Sequence, residues 1–130
     1  MLEEICAASA GVGILLSVHC SLCCEIIKQF GSEDLKKKYL PMMASGEKIG
    51  AYCITEPNAG TDVGSITTTA EDKGDHYLVN GTKTFVTNGG FAGVLIVFVK
   101  TNPEAGSRGM SCLVVDADSE IGRASCRGRV

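Results

Sequence analysis

The chain has 130 residues, of which 45% are hydrophobic and 21% charged, a composition typical of a folded globular protein. Its formal net charge of -3 argues against nucleic acid as the main partner. No apolar run is expected to be long enough to span a bilayer, and the acidic start lacks the basic region of a secretory signal. Seven cysteines, an odd number, favour reduced thiols in a cytoplasmic compartment over a disulfide framework.

The spacing of apolar residues predicts helix over residues 2–45. Two adjacent apolar stripes run along it, the first formed by Leu15, Val18, Leu22, Ile26 and Phe30, the second by Leu16, Cys20, Cys23 and Ile27. A helix that is apolar on so much of its surface is expected to be buried against other helices. Gly31 is expected to end this helix, Ser32 to cap the next one, and Gly46 to stop it.

From Ile49 onward the pattern predicts strands separated by turns. The β-branched or aromatic runs are "IGAYCIT", "SITTTAE", "HYLVNGTKTFVT", "VLIVFVK" and "MSCLVVD". Asn80-Gly81, inside the third run, predicts a tight hairpin turn. Helices first and strands later indicate an α+β fold divided into residues 1–46 and 47–120. So short a helical part has little to pack against, which suggests a piece of a larger protein.

The last ten residues, "IGRASCRGRV", show neither alternation nor caps. They closely resemble the translation of a common sequencing adaptor, so residues 121–130 are interpreted as a non-native tail. The alternative is a natural basic tail.

The stretch "HCSLCC", residues 19–24, has the C-x-x-C spacing of metal and redox sites. A structural zinc site needs a second ligand pair at short spacing, and the sequence offers none. The three cysteines also follow the apolar pattern of the helix, where a free thiol behaves as a small hydrophobe. We therefore predict buried, reduced and metal-free cysteines, with metal or redox chemistry as the alternative.

Two polar loops stand out as candidate binding elements. "NAGTD", residues 58–62, offers small side chains, a hydroxyl and free backbone N–H groups, which let a main chain approach a polar cofactor closely. "FVTNGG", residues 85–90, combines an aromatic ring with a hydroxyl and backbone donors, which suits a flat heteroaromatic ligand. An ordinary connection between strands is the alternative for the first loop.

The motifs "TEPNAGTD", "NGTKTFVTNGG" and "RGMSCLVV", in this order and spacing, resemble the acyl-CoA dehydrogenase family, most closely its short-chain, butyryl-CoA dehydrogenase-like branch. The resemblance covers residues 1–116. It implies a helical N-terminal domain, an antiparallel β-barrel-like middle domain and a C-terminal four-helix bundle. This chain would hold the end of the first and most of the second.

The resemblance also implies the site. In the family, the segment that matches Tyr52 to Thr61 lines FAD. The residue that matches Thr61, which is serine in many members, also touches the acyl-CoA. Phe85 stands where tryptophan is common and packs on the flavin, while Thr87 places its hydroxyl near flavin N5. Leu22 and Val18 are candidates for the acyl pocket, with core packing as the alternative. The implied cofactor-binding residues are Tyr52, Cys53, Ile54, Thr55, Gly60, Thr61, Phe85, Val86 and Thr87.

The implied reaction is α,β-dehydrogenation of an acyl-CoA thioester, with electrons passed to an electron-transfer flavoprotein. The family's glutamate base lies in the C-terminal helical domain, and no residue here matches its motif, so no catalytic residue is nominated. Glu56 is a tempting substitute, but its Glu-Pro context indicates a structural loop. The resemblance also implies a homo-oligomer when full length, in the cytoplasm or, in a eukaryote, the mitochondrial matrix.

Two other functions stay open at this point. A flavin oxidase or monooxygenase could share the fold, or the chain could be a non-catalytic fragment that binds acyl-CoA or FAD.

Overall fold

The computed structural model describes residues 1–119, so the predicted tail at residues 121–130 lies outside the described residues. The first part is helical, as expected. Its helices are α1 (Leu2–Ala8), α2 (Ala10–Ser17), a π-helical segment (Val18–Cys24), α3 (Glu25–Phe30) and α4 (Glu33–Ala44).

The π-helical segment changes which face of the long helix is buried. Its turn is wider than that of an α-helix, so the predicted stripes lose their phase there. The residues buried at this face are His19, Cys23 and Ile27. Leu22 and Phe30 of the predicted first stripe are 37% and 80% exposed. The expected burial is therefore right for part of the second stripe and wrong for these two residues.

The predicted start and end of α4 are confirmed. The Ser32 hydroxyl accepts a hydrogen bond from the Leu35 N–H at 3.3 Å, as an N-cap does. Gly46 adopts φ +79°, and its N–H donates to the Met43 carbonyl at 3.1 Å. A left-handed residue at this position closes the helix with little strain because it is glycine.

Five strands follow and form one sheet: β1 (Gly50–Cys53), β2 (Thr69–Asp72), β3 (Tyr77–Asn80), β4 (Val94–Lys100) and β5 (Met110–Asp116). The central strand β4 pairs with β5 in antiparallel fashion along its whole length. It also pairs in parallel with β1, and at Lys100 with β2. The α+β class is confirmed. The expected antiparallel barrel is not, because the sheet is mixed and not closed.

The hairpin predicted at Asn80-Gly81 is wrong. No strand begins directly after Gly81, since the Lys83 side chain and the Thr84 N–H bond to the carbonyl groups that follow β1 instead. The hairpin that forms joins β2 to β3. Its turn is closed by the Lys73 N–H, which donates to the His76 carbonyl at 2.9 Å, and by Gly74 at φ +95°.

The core has two parts, one on each face of the sheet. The part between the helices and the sheet contains Cys23, Ile27, Tyr39, Met43, Val94 and Ile96. The part on the opposite face contains Ala51, Cys53, Ala92 and Leu95. Because β1 and β4 contribute to both parts, the end of β1 is held firmly, and the candidate loops begin there.

An ionic cluster fastens α4 to the end of β5. The Asp116 carboxylate accepts hydrogen bonds from Lys38 Nζ at 2.9 Å, from the Tyr39 hydroxyl at 2.9 Å and from Lys48 Nζ at 3.0 Å. The bond from Lys38 contributes most, and together with those from Lys48 and Tyr39 it outweighs partial burial and lowers the pKa of Asp116 to about 2.

The helical stretch Ala10–Phe30 corrects one expectation. Its 21 residues are long and apolar enough to cross a membrane, judged by length and composition alone. The expectation that no apolar run reaches this length is therefore wrong. The helix lies near the N-terminus. One helix of this kind is weak evidence for a membrane span, since core helices of soluble proteins pass the same test.

Candidate functional site

The candidate site begins in the loop that leaves β1. Glu56 and Ala59 close a tight turn through two backbone hydrogen bonds, of 2.9 and 3.1 Å. Gly60 and Thr61 follow and are exposed. A Cβ atom at Gly60 would meet no heavy atom within 4 Å, so packing inside the chain gives no reason for glycine there. The turn thus presents a small residue and a hydroxyl to solvent.

The second candidate segment lies directly beside this loop. The Thr84 N–H donates to the Thr55 carbonyl at 2.8 Å. The neighbouring Lys83 Nζ donates to the Ile54 carbonyl at 3.1 Å. Residues 52–55 and 85–87, chosen from separate parts of the sequence, are therefore brought together at the carboxyl end of β1.

The buried Glu56 carboxylate is the centre of this region. Its Oε2 accepts from the Thr67 N–H at 2.6 Å and from the Thr67 hydroxyl at 2.8 Å. Its Oε1 accepts from the Thr68 N–H at 3.0 Å, from the Thr68 hydroxyl and from Lys83 Nζ at 2.8 Å. Burial by itself raises the pKa, but the hydrogen bonds from Lys83, Thr68 and Thr67 outweigh it and hold the pKa of Glu56 well below its ordinary value. Glu56 is a structural anion.

Phe85 has an unusual backbone conformation and an open side chain. Its φ is +54°, in the left-handed region that bulky residues rarely adopt, and the residue is 93% exposed. Val86, the next residue, packs against the core on the outer face of β1. Thr87 is half-buried. The segment therefore offers a flat ring and a hydroxyl from a short stretch anchored on both sides.

Two further predicted residues lie on β1 and two on the helices. Cys53 faces the same side as Val86, within the outer core. Tyr52 points to the helical side, where its ring lies 5.1 Å from the ring of Phe98. Val18 also packs against the helical core, which favours core packing as its role. Leu22 is partly exposed and belongs to neither core cluster.

Two buried polar residues with hydrogen bonds between segments are not among the predicted site residues. The His19 ring accepts a hydrogen bond at Nδ1 from the Gly50 N–H at 3.0 Å, so Nε2 carries the proton and donates to the Met43 carbonyl at 3.0 Å. Asn88 Nδ2 donates to the Gly50 carbonyl at 3.0 Å and to the Leu15 carbonyl at 3.3 Å. Both side chains thus join the helices to the start of β1. Each lies within a motif singled out above, but sequence gives no sign of its partners.

The cysteines of "HCSLCC" are free thiols, and only one is fully buried. Cys23 is completely enclosed, and burial raises the pKa of its thiol to about 12. Cys24 is half-buried, and Cys20 is exposed, so the predicted burial is wrong for Cys20. Residues 1–119 contain no group of three or more His, Cys, Asp or Glu side chains that could hold a metal ion. The metal-free state stays a prediction, and stoichiometric zinc or iron in elemental analysis of the purified protein would contradict it.

Two family models match the chain. The N-terminal domain of acyl-CoA dehydrogenase matches residues 1–47, and the middle domain of acyl-CoA dehydrogenase matches residues 51–126. The chain belongs to the acyl-CoA dehydrogenase family. The resemblance drawn from the sequence motifs is thereby confirmed, and both family domains expected are matched.

Individual members of the family are similar to this chain in sequence and in structure. The short-chain-specific acyl-CoA dehydrogenase of Clostridium acetobutylicum is 46% identical over 114 residues, which is 88% of this chain and 30% of the relative. The butyryl-CoA dehydrogenase of Megasphaera elsdenii superposes with a TM-score of 0.88 at 42% identity, covering 92% of this chain and 31% of that one. This chain therefore spans about a third of the length of these relatives.

Two further solved structures are similar to this chain. The FAD complex of PigA matches with a TM-score of 0.81 at 36% identity and covers 85% of this chain and 29% of its own. A chain in the structure of the electron transferring flavoprotein of Acidaminococcus fermentans, described with flavin-based electron bifurcation, matches with a TM-score of 0.81 at 44% identity. It covers 83% of this chain and 28% of its own.

The geometry at the end of β1 fits a flavin as ligand. The exposed ring of Phe85 provides a flat apolar surface, and Thr87 adds a hydroxyl two residues later. Gly60 lets a bound group approach the neighbouring main chain because no side chain stands in the way. These are the features expected where a flat, polar cofactor meets a protein surface.

Proposed function

We propose that this chain forms the FAD- and acyl-CoA-binding part of an acyl-CoA dehydrogenase that dehydrogenates short-chain acyl-CoA thioesters between Cα and Cβ. The observation that carries the proposal is the hydrogen bond from the Thr84 N–H to the Thr55 carbonyl at 2.8 Å. It joins the two motifs singled out from sequence into one surface. The Phe85 ring and the Gly60-Thr61 turn belong to these motifs and are both exposed.

Each exposed group has a role in this proposal. Bound FAD would supply the acceptor for the hydride that leaves the β-carbon of the substrate. Phe85 packs on the flavin ring system, and the Thr87 hydroxyl donates a hydrogen bond to it, which holds the cofactor in one orientation. The Thr61 hydroxyl contacts both the cofactor and the acyl-CoA. Main-chain groups of residues 52–55 line the cofactor, because Tyr52 and Cys53 direct their side chains into the two cores.

The base that removes the α-proton is proposed to lie elsewhere in the full-length protein. Among residues 1–119, the buried carboxylate near the site is that of Glu56, and it is already engaged by Lys83, Thr67 and Thr68. The chain spans about a third of its relatives, so it is proposed to be a fragment without dehydrogenase turnover of its own. Turnover comparable to an intact family enzyme, measured with FAD, butyryl-CoA and an artificial electron acceptor, would contradict this.

The finer assignments rest on the relatives. The name of the Clostridium relative supports short-chain substrates, and the match to a chain in the Acidaminococcus structure supports an electron-transfer flavoprotein as the acceptor. A homo-oligomer of the full-length protein, located in the cytoplasm or the mitochondrial matrix, completes the proposal.

Cofactor binding is tested by titrating the purified protein with FAD and following the quenching of flavin fluorescence. Saturable binding that weakens in Phe85→Ala, but not in the distant surface variant Phe30→Ala, supports the proposed surface. Phe30 is the matched control because it too is an exposed phenylalanine, 80% accessible, at the end of α3. Equal FAD affinity in all three proteins would refute the assigned role. Hydrogen peroxide released during turnover of the full-length protein would identify an oxidase instead.

A further inference from the structure

We propose that Glu56 and Lys83 are positioning residues, whose buried ion pair fixes the conformation of the Phe85 segment, residues 85–87. The ion pair joins Lys83 Nζ to Glu56 Oε1 at 2.8 Å. That FAD is the ligand of this segment rests on the proposed function. The conformational role is independent of it, so the two can be tested separately.

The ion pair is buried deeply enough to resist opening. The Lys83 side chain is 10% exposed and that of Glu56 is 3% exposed. A charge buried to this extent is costly without its partner, so neither side chain can leave without the other losing its compensation. Lys83 also donates to the Ile54 carbonyl at 3.1 Å. The backbone at residue 83 is therefore held against the end of β1 by a single side chain with two acceptors.

The Phe85 conformation needs such an anchor. A phenylalanine at φ +54° is strained and persists only where the surrounding structure determines it. The ring is 93% exposed and does not supply that constraint itself. On the C-terminal side, Val86 is held by packing and accepts a hydrogen bond at its carbonyl from the Gly89 N–H at 3.0 Å. On the N-terminal side, the chain is held by the ion pair between Lys83 and Glu56 and by the hydrogen bond from the Thr84 N–H to the Thr55 carbonyl.

The substitution Glu56→Gln distinguishes this positioning role from a role in packing alone. It keeps the volume of glutamate but has one acceptor oxygen instead of two. In the protein, Oε2 serves Thr67 and Oε1 serves Thr68 and Lys83. One of these sets must lose its acceptor in Glu56→Gln, and the charge that pairs with Lys83 is lost in either orientation. The expected result is a Phe85 segment released from its N-terminal anchor.

The absence of tryptophan from the sequence makes this release measurable. Phe85→Trp introduces a single indole at the segment, and its fluorescence anisotropy reports local motion. Glu56→Gln in that background is expected to lower the anisotropy clearly. The anisotropy is measured at a temperature well below the unfolding midpoint of each variant. Glu71→Gln is the matched control, because Glu71, whose side chain is exposed, pairs with Lys73 just beyond β2. Ile27→Val, in the buried helical core, controls for a general loss of stability.

The outcomes separate the possibilities. Lowered anisotropy in Glu56→Gln, with both controls unchanged, supports the inference, and FAD affinity is then expected to fall about tenfold because the binding surface is no longer preorganised. Unchanged anisotropy in Glu56→Gln, or an equal fall in Ile27→Val, overturns it. If Glu56→Gln does not fold, Lys83→Met is measured in the same way and decides by the same criterion. Absence of FAD binding in every variant, with the anisotropy difference intact, rejects the proposed function and leaves the positioning role supported.

Discussion

Replacing Asp116 by asparagine is expected to loosen the attachment of α4 to β5. The carboxylate accepts hydrogen bonds from Lys38, Tyr39 and Lys48 within 3.0 Å, and the amide keeps only one acceptor oxygen and no charge. The bonds lower the pKa of Asp116 from its ordinary value of 3.8 to about 2, which corresponds to about 2 kcal/mol. Because the side chain is 28% exposed, solvent screening reduces the expected loss to about 1–2 kcal/mol.

The dependence of this loss on pH follows from the direction of the shift. A carboxyl group whose pKa is lower in the folded state stabilises the protein fully above the unfolded pKa. That contribution is lost as the pH falls from about 4 through about 2. The asparagine variant has no such group. The difference in unfolding free energy between the two proteins is therefore expected to be constant near neutral pH and to shrink as the solution is acidified below about pH 4.

Urea unfolding of the parent protein and of Asp116→Asn, repeated over a series of pH values, measures this difference. Asp118→Asn provides the control, since Asp118 lies two residues further along and is exposed. The control is expected to change stability by less than about 0.5 kcal/mol. A loss in Asp116→Asn that is the same at every pH would refute the electrostatic explanation, and no loss at all would refute the fastening role.

Three further substitutions test the site and its supports. In the full-length protein, Thr87→Val keeps the volume but removes a hydroxyl, so FAD retention is expected to weaken by about 1–3 kcal/mol or flavin reduction to slow. Unchanged FAD content and unchanged flavin reduction by butyryl-CoA would refute the role. Gly60→Ala is expected to weaken ligand binding while the unfolding free energy of the ligand-free protein changes by less than about 0.5 kcal/mol; a destabilised protein with normal FAD affinity would contradict this. His19→Ala leaves the Gly50 N–H and the Met43 carbonyl without their partner, so urea unfolding is expected to show a loss of about 2–4 kcal/mol, and a loss below that range would argue against the two bonds.

Local signals in the sequence predicted the start and end of α4 and the limits of two strands. Ser32 and Gly46 carry their structural meaning in a few neighbouring residues, and both behave as expected. The runs "VLIVFVK" and "MSCLVVD" become β4 and β5 over their whole length. In each case the physical cause, a cap, a left-handed residue or a buried β-branched run, lies within the segment itself.

Failures occurred where a distant partner decides the conformation. Asn80-Gly81 has the composition of a hairpin turn, but the residues after it bond to the end of β1 rather than to β3. The wider turn of the π-helical segment shifts the buried face of its helix, so Phe30, which the pattern places in a buried stripe, is exposed. Parallel pairing of β1 with β4 joins residues more than 40 positions apart and leaves no local pattern.

The candidate site shows the same division. Its exposed members, among them Thr61 and Phe85, belong to motifs that the sequence displays directly. The residues that hold them, Glu56 and Lys83, act through contacts between segments 27 positions apart. The Glu-Pro context predicts a structural loop at Glu56, and the residue does lie in a loop, but nothing local identifies its five hydrogen-bond donors.

Anaerobic addition of butyryl-CoA to the full-length protein loaded with FAD, followed by visible absorbance, tests the proposed function most directly. The proposal predicts that the visible absorption band of the oxidised flavin bleaches as the substrate is dehydrogenated, and that an electron-transfer flavoprotein restores it. Bound FAD that keeps its oxidised spectrum in excess butyryl-CoA and other short-chain acyl-CoA thioesters would contradict the proposal that this chain belongs to a short-chain acyl-CoA dehydrogenase.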